Sequence, residues 1–290
     1  MVYITPFLWF DKEAREAAEF YCSIFQKSKI KNIDHLQDTP SGTVEIITLE
    51  LLGKEYSFMS GGPFHKFNPS ISYIFNTNTS ESAEQTWNKL VQGATILMEF
   101  GTYPFAEKFG WLMDKFGFTW QIRYTSTIMD QSINPNLMFV GKVCGKAEEA
   151  LNFYTSIFKN SSKGEITRFD EIDQPDEPGT IKFAEFVLEE RSFSIQESAY
   201  DHQFFFNESM SFVINCSTQD DVDYYWEKLT ADPTAEQCGW LKDKYGVSWQ
   251  VVPTGLHEVM SDPDKEKVAR KTKAFLKMKK IILRELEAIK

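Results

Sequence analysis

Apolar and polar positions along the first sixty residues predict a strand, a helix and a hairpin. Residues 4–10 form a short apolar run, which is typical of a buried strand. Segments 43–51 and 56–60 flank a turn at Gly53 and predict a β-hairpin. The intervening residues 12–26 carry an apolar stripe at helical spacing, which consists of Ala14, Ala17, Ala18, Tyr21 and Phe25.

The next segment repeats this order after the break at Gly61-Gly62-Pro63. Residues 70–76 predict a strand, and residues 80–93 predict a helix that ends at its glycine. Further strands are predicted near 95–99, 110–114 and 118–124. Each unit is therefore expected to have the order βαβββ, which places the chain in the α+β class.

The closing strands of this half belong to a motif that occurs twice. Residues 110–122 read GWLMDKFGFTWQI and residues 239–251 read GWLKDKYGVSWQV, with eight of thirteen positions identical. The repeat predicts two copies of one domain, residues 1–132 and 135–260, each made of two βαβββ units. Earlier segments return in the same order, 20–25 as 153–158 and 72–76 as 211–215.

The remaining residues, 262–290, have a different pattern. Asp262-Pro263-Asp264 is typical of a helix start. Lysine and arginine occupy much of the surface between apolar positions at helical spacing, namely Val268, Phe275, Ile282, Leu286 and Ile289. We expect a C-terminal amphipathic helix that docks on the chain's own apolar surface, the alternative being a membrane or a calmodulin-like partner.

Composition excludes several classes of protein. Hydrophobic residues at 42% and aromatic residues at 15% suffice for packed cores, whereas a net charge of −11 argues against nucleic-acid binding. No apolar run approaches the length of a membrane span, and the N-terminus lacks the pattern of a signal peptide. The cysteines form no C-x-x-C pair, which favours a reducing, cytoplasmic setting; they are Cys22, Cys144, Cys216 and Cys238.

Several of these motifs resemble PhnB-like proteins. They are the helix end FYxSIF, the segment Phe67-Asn68-Pro69-Ser70-Ile71-Ser72 with its copy at 206–211, CGWLKD at 238–243 and the tail around Met278-Lys279-Lys280. Such proteins belong to the vicinal oxygen chelate superfamily, with glyoxalase I, bleomycin-resistance proteins and extradiol dioxygenases. They often carry the description "3-demethylubiquinone-9 3-methyltransferase-like". The chain has no glycine-rich strand–turn–helix loop for S-adenosylmethionine, so methyl transfer is not inferred.

The resemblance implies a fold and an assembly. Paired βαβββ units would curl into two cup-shaped sheets, each with a ligand site inside. Because single-domain relatives pair as dimers, the tandem copies would form an intrachain pseudo-dimer. Further homo-oligomerisation is left open.

Metal-dependent members of the superfamily use His, Gln and Glu ligands on the strands of the cup. The corresponding positions here are Gln121 and Gln250 on the final strands, Ser72 and Ser211 in the middle, and Ile4 or Thr5 and Pro135 or Asn136 on the first strands. None of them is His, Asp or Glu, and amide and hydroxyl oxygens are weak ligands for a divalent ion. None of the histidines, His35, His65, His202 and His257, recurs in the other copy. We therefore expect neither a metal nor another cofactor.

Strand alternation predicts which residues face the cup. If Gln121 and Gln250 point inward, Trp120 and Trp249 pack outward in the core. Each glutamine would bind a ligand or the neighbouring backbone, and both interpretations stay open. Asp114 and Asp243 are expected to shape turns, and Cys238 is expected to be a buried bystander.

Three further candidates have alternatives of their own. Trp111 and Trp240 would form aromatic walls for a planar ligand or simply pack in the core. Arg123 would receive an anionic group or lie on the surface. The candidate ligand-binding residues are Gln121, Gln250, Trp111, Trp240, Ser72, Ser211 and Arg123.

The leading functional hypothesis is metal-free binding of a small molecule in the cups. One alternative is a metal-dependent lyase or dioxygenase-type enzyme with other ligands. Another is a non-catalytic interaction module whose cups are filled by side chains. The sequence does not assign a specific activity.

Overall fold

The structure is a computed structural model that describes residues 1–39, 42–260 and 262–290. The first unit comprises β1 (Tyr3–Phe10), α1 (Ala14–Ile24), β2 (Lys29–Thr39), β3 (Gly42–Leu51) and β4 (Lys54–Ser60). The second comprises β5 (Ile71–Thr77), α2 (Ser80–Leu90), β6 (Thr95–Tyr103), β7 (Ala106–Met113) and β8 (Thr119–Tyr124). Both have the predicted order βαβββ.

The second half repeats this order with one difference. Its third unit comprises β9 (Ser132–Val140), a 3₁₀ turn (Gly141–Val143), α3 (Ala147–Ile157), β10 (Ser161–Arg168), β11 (Ile181–Leu188) and β12 (Arg191–Ser198). The fourth comprises β13 (Met210–Cys216), α4 (Gln219–Leu229), β14 (Trp240–Lys242) and β15 (Ser248–Pro253). Here residues 230–239 form turns instead of a strand, because the connection between helix and closing motif is ten residues shorter than in the first copy.

The strands form two sheets, each of which combines units from different copies. Sheet one has the order β14-β15-β13-β1-β4-β3-β2, and sheet two has the order β10-β11-β12-β9-β5-β8-β7-β6. Sheet one therefore joins the first and fourth units, and sheet two joins the second and third. The α+β class with two large sheets is confirmed. No helix within the three described ranges is long and apolar enough to cross a membrane.

The helices cover the outer face of each sheet and bury the main core there. Trp120 and Trp249 are 0% and 1% exposed, which confirms that both pack outward. The apolar stripe of α1 is buried as predicted, with Ala14, Ala17, Ala18 and Tyr21 at 0% exposure. The opposite, inner face of each sheet is the cup.

Asp114 does more than shape its turn. Its Oδ1 accepts hydrogen bonds from the backbone N–H groups of Phe116 and Phe118, as expected for a turn residue. Its Oδ2 also accepts from Tyr21 Oη at 2.5 Å and Trp120 Nε1 at 3.1 Å, which ties the turn to helix and sheet. The second copy builds the same cluster around Asp243 with Tyr245, Val247, Tyr154 and Trp249.

The Asp114 cluster predicts an unusual pH dependence of stability. Burial raises the pKa of Asp114 from 3.8 to about 6, although its hydrogen bonds oppose the shift. Between those values the folded chain binds a proton that the unfolded chain releases, so this contribution to stability is lost as pH rises through 6. We expect it to add about 1 kcal/mol when pH falls from 7 to 5.

Urea unfolding of the natural chain and of Asp114→Asn at both pH values measures this contribution. Asp114→Asn is expected to be less stable than the natural chain at both pH values. Its stability should also lack the increase of about 1 kcal/mol between pH 7 and pH 5. An equal change with pH in both proteins would show that the Asp114 carboxyl does not titrate in this range.

Candidate functional site

A cavity of about 700 Å³ lies against the inner face of sheet one. Its size is in the range of sites for small organic molecules. Much of its wall is a hydrophobic cluster separate from the main core, which includes Phe7, Trp9, Ile46, Met59, Val213 and Trp240. Packing of the outer faces does not need these side chains, so their aromatic and aliphatic surface is available inside the cup.

A few polar side chains lie on the floor of this cavity. Gln250 on β15 lines the cavity, and its Nε2 donates to Ser211 Oγ on β13 at 3.0 Å. Ser211 is 0% exposed and is not one of the lining residues. The glutamine thus bonds to a neighbouring side chain, an option that neither sequence interpretation included. Ser57 and Thr48 also line the cavity from β4 and β3.

The mouth of the cavity carries a second polar group. His65 Nδ1 lies 3.5 Å from Glu208 Oε2, and Lys242 Nζ lies 2.7 Å from Glu208 Oε1. Burial lowers the pKa of His65, and Glu208 opposes this effect, so the imidazole is mainly neutral at pH 7. His65 also lies edge-on to Trp9, with ring centroids 5.0 Å apart. Sequence reasoning missed this group; the one available signal was that Glu208 replaces Pro69 in the repeated segment.

The C-terminal tail closes one side of the cavity. It is helical, but it forms α6 (Lys265–Phe275) and α7 (Leu283–Glu287) instead of one continuous helix, and a short helix α5 (Leu256–Met260) precedes it. Phe275, Leu276 and Ile281 line the cavity. The helix is interrupted where backbone N–H groups of Cys238 and Gly239 donate to the carbonyls of Met278 and Lys279, both at 2.7 Å.

This docking predicts a specific effect of Gly239→Ala. Gly239 has φ +87°, and a Cβ there would lie 2.9 Å from Ile281 Cδ1 and 3.0 Å from Val251 O. Gly246 has φ +88° with nothing within 4 Å of its Cβ position. Both alanine variants bear the left-handed strain of about 1 kcal/mol, but only Gly239→Ala displaces the tail.

Limited proteolysis of the two variants measures this difference. We expect faster cleavage of residues 262–290 in Gly239→Ala and an unchanged rate in Gly246→Ala. Equal cleavage rates would mean that the tail does not depend on this contact.

Sheet two brings the other candidates together on its inner face. Gln121 Nε2 donates to Ser72 Oγ at 2.9 Å, as in sheet one, and Trp111 lies beside the glutamine on β7. Arg123 is neither free nor simply on the surface. Its Nη2 lies 2.7 Å from Glu185 Oε1, and its guanidinium lies over the ring of Phe183.

The residues at the positions that the resemblance relates to metal ligands do not fit a divalent ion. In sheet one they offer the hydroxyl of Thr5, the hydroxyl of Ser211 and the amide of Gln250, and the latter two bond to each other. Imidazole, thiolate and carboxylate are the ligands that such ions prefer in proteins. Among the described residues, no three His, Cys, Asp or Glu side chains are grouped closely enough to hold one.

Cys238 lies at the edge of the same cavity and is half-buried. Its Sγ lies 3.6 Å from the carbonyl oxygen of Phe275, and burial raises the pKa of its thiol to about 11. The thiol is therefore protonated and unreactive at neutral pH.

Solved structures show where this fold occurs. A putative 3-demethylubiquinone-9 3-methyltransferase, PhnB protein, from Bacillus cereus is 35% identical over 42% of this chain and 98% of its own, with a TM-score of 0.39. Glyoxalase I from Zea mays is 11% identical over 87% of this chain and 93% of its own, with a TM-score of 0.50. A putative dioxygenase from Bacillus subtilis is 9% identical over 86% of this chain and 83% of its own, with a TM-score of 0.51. The last two likenesses concern the fold alone.

No curated protein matches the chain in sequence. The family model described as 3-demethylubiquinone-9 3-methyltransferase matches it twice, over residues 2–123 and 131–252. These two matches cover most of the chain and coincide with the internal repeat. The chain therefore belongs to this PhnB-like family, as two tandem copies of the family's domain.

Proposed function

We propose that the protein binds a small, largely apolar organic molecule in the cavity of sheet one, without a metal ion. The observation that carries this proposal is the cavity itself, which has an aromatic and aliphatic wall and two sets of polar groups. Gln250 lies on the floor, and His65 with Glu208 lies at the mouth. Apolar walls with a few fixed polar groups are typical of ligand sites, whereas interaction modules have no need of such a cavity.

The wall and the charges restrict the ligand's chemistry. Trp240 lies edge-on to Phe7, with ring centroids 5.7 Å apart, and to Trp9, with ring centroids 6.0 Å apart. Such rings favour a planar or aromatic ligand. The charged side chains that line the cavity, Glu55 and Glu208, are both acidic, and each is paired with a lysine: Lys31 lies 3.1 Å from Glu55 and Lys242 lies 2.7 Å from Glu208. Because both carboxylates are paired, we propose a neutral ligand with a group that hydrogen-bonds at Gln250 or His65.

Neither methyl transfer nor metal-dependent lyase or dioxygenase chemistry forms part of the proposal. The hydroxyl and amide donors in the cup do not suit a divalent ion. We propose binding as the function and assign no reaction.

The proposal extends to organisation and setting. We propose that residues 1–132 and 135–260 are equivalent to the two subunits of a dimeric relative, with residues 262–290 as an addition that closes one cup. The free thiols of all four cysteines support a reducing, cytoplasmic setting.

Native mass spectrometry of gently purified protein, repeated under denaturing conditions, tests the proposal. We expect an organic adduct without metal, or a bare chain that binds the neutral fluorescent probe N-phenyl-1-naphthylamine at one site. A stoichiometric divalent ion in the native mass would overturn the metal-free assignment. A bare chain that fails to bind the probe would overturn the binding function.

A further inference from the structure

The register of strand pairing gives each inner-face position of sheet one a counterpart in sheet two. In sheet one, the register pairs Thr48 with Ser57, Ser57 with Phe7, and Phe7 with Ser211. In sheet two, the same steps pair Glu185 with Ser194, Ser194 with Asn136, and Asn136 with Ser72. Because Trp240 pairs with Gln250 as Trp111 pairs with Gln121, the match extends to β14 in sheet one and to β7 in sheet two.

Two of these matched positions differ in charge. Where sheet one has Thr48 on β3 and Val252 on β15, sheet two has Glu185 on β11 and Arg123 on β8. Thr48 and Val252 both line the cavity of sheet one. Their counterparts instead form an ion pair with 2.7 Å between Arg123 Nη2 and Glu185 Oε1.

This ion pair reaches across the whole cup. Strands β8 and β11 are separated in the sheet by β5, β9 and β12. In a flat sheet, four strand spacings would hold them about 19 Å apart. The two side chains therefore meet because the sheet curls, and they lie on its solvent-accessible side, with Arg123 21% and Glu185 48% exposed. Arg123 is further held by a 2.7 Å hydrogen bond from its Nε to Asn76 Oδ1.

The inner face of sheet two also contains buried hydrogen-bond donors that have no partner among the described residues. Asn136 is 0% exposed, and its Oδ1 accepts from Ser194 Oγ at 2.8 Å. Its Nδ2 and the Nε1 of Trp111 are buried and have no hydrogen-bond partner among the described residues. Buried donors of this kind are costly in a purely structural core, which favours a floor suited to a ligand.

We infer that sheet two carries a second ligand site, and that the Arg123–Glu185 ion pair closes it. The chain then binds one ligand, in sheet one, although both sheets have corresponding strands in the same order and register. This inference rests on the proposed function, since it concerns which of two cups is open to a ligand. Arg123 and Glu185 act here as residues that determine site occupancy.

Exchanging the matched residues tests the inference. At these two positions, Arg123→Val with Glu185→Thr gives sheet two the residues of sheet one, and Thr48→Glu with Val252→Arg gives sheet one those of sheet two. Binding sites for N-phenyl-1-naphthylamine are counted by titration, and circular dichroism checks that each variant is folded. We expect one site in the natural chain, two in the first variant, and at least a tenfold loss of affinity in the second.

The fluorescence of Trp111 in sheet two and of Trp240 in sheet one shows which cup the probe occupies. Probe binding in the opened cup should quench Trp111, so Trp111→Phe should remove that signal. A folded first variant that still binds a single probe would overturn the inference. If that variant does not fold, unchanged affinity in the second variant would overturn it instead. If the natural chain binds no probe but the first variant gains one binding site, the proposed function alone is contradicted. If neither protein binds the probe, both proposals fail.

Discussion

Replacing Asp243 by alanine is expected to lower the free energy of unfolding by about 4 kcal/mol, more than any cavity substitution. The carboxylate is 3% exposed and accepts from Tyr154 Oη at 2.7 Å and Trp249 Nε1 at 2.9 Å. It also accepts from the backbone N–H groups of Tyr245 and Val247. Alanine would leave all four donors buried without an acceptor.

The expected loss is smaller than the sum of four separate bonds. An orphaned buried donor costs about 1–3 kcal/mol, but donors that share one acceptor relax together. In addition, burial raises the pKa of Asp243, so the natural carboxylate already bears part of the cost of desolvation. Both effects reduce the difference between the natural chain and the variant.

Urea unfolding monitored by far-ultraviolet circular dichroism measures the change. Tyr154→Phe, which removes a single donor, should cost about 1 kcal/mol, and Asp114→Ala in the first copy should match Asp243→Ala. A loss below about 1 kcal/mol in Asp243→Ala would mean that water replaces the carboxylate as acceptor.

These aspartates illustrate what the sequence predicts well. Their position before lysine and a later glycine indicates a turn, because that pattern is local. The bonds to Tyr21 and Tyr154 span 93 and 89 residues and depend on how helix and sheet pack, which no local pattern specifies. Likewise, strand alternation predicts that Trp120 and Trp249 are buried, because it needs only the period of a strand.

The cavity was harder to predict for the same reason. Trp240 and Gln250 lie in the repeated motif, so comparison of the two copies finds them. His65 is replaced by Phe204 in the other copy and the tail residue Phe275 lies outside both copies, so only the folded chain brings them to the cavity. The ion pair between Arg123 and Glu185 joins different copies, so neither repeat contains it.

Trp240→Ala is expected to weaken binding of N-phenyl-1-naphthylamine about 30-fold, which corresponds to about 2 kcal/mol. Trp240 is only partly buried, and it contributes one aromatic wall of the cavity beside Phe7 and Trp9. Truncation removes that wall and leaves the ligand in contact with water. Since the main core does not include Trp240, the loss of stability should stay near 1 kcal/mol.

Trp111→Ala provides the matched control, because Trp111 holds the same register position in sheet two. If the probe binds only in sheet one, this variant should keep its affinity within twofold while losing a similar amount of stability. Equal weakening by both substitutions would mean that both cups bind the probe. Unchanged affinity in Trp240→Ala would instead mean that the ligand lies away from the aromatic wall, which would leave His65 and Glu208 at the mouth as the binding group.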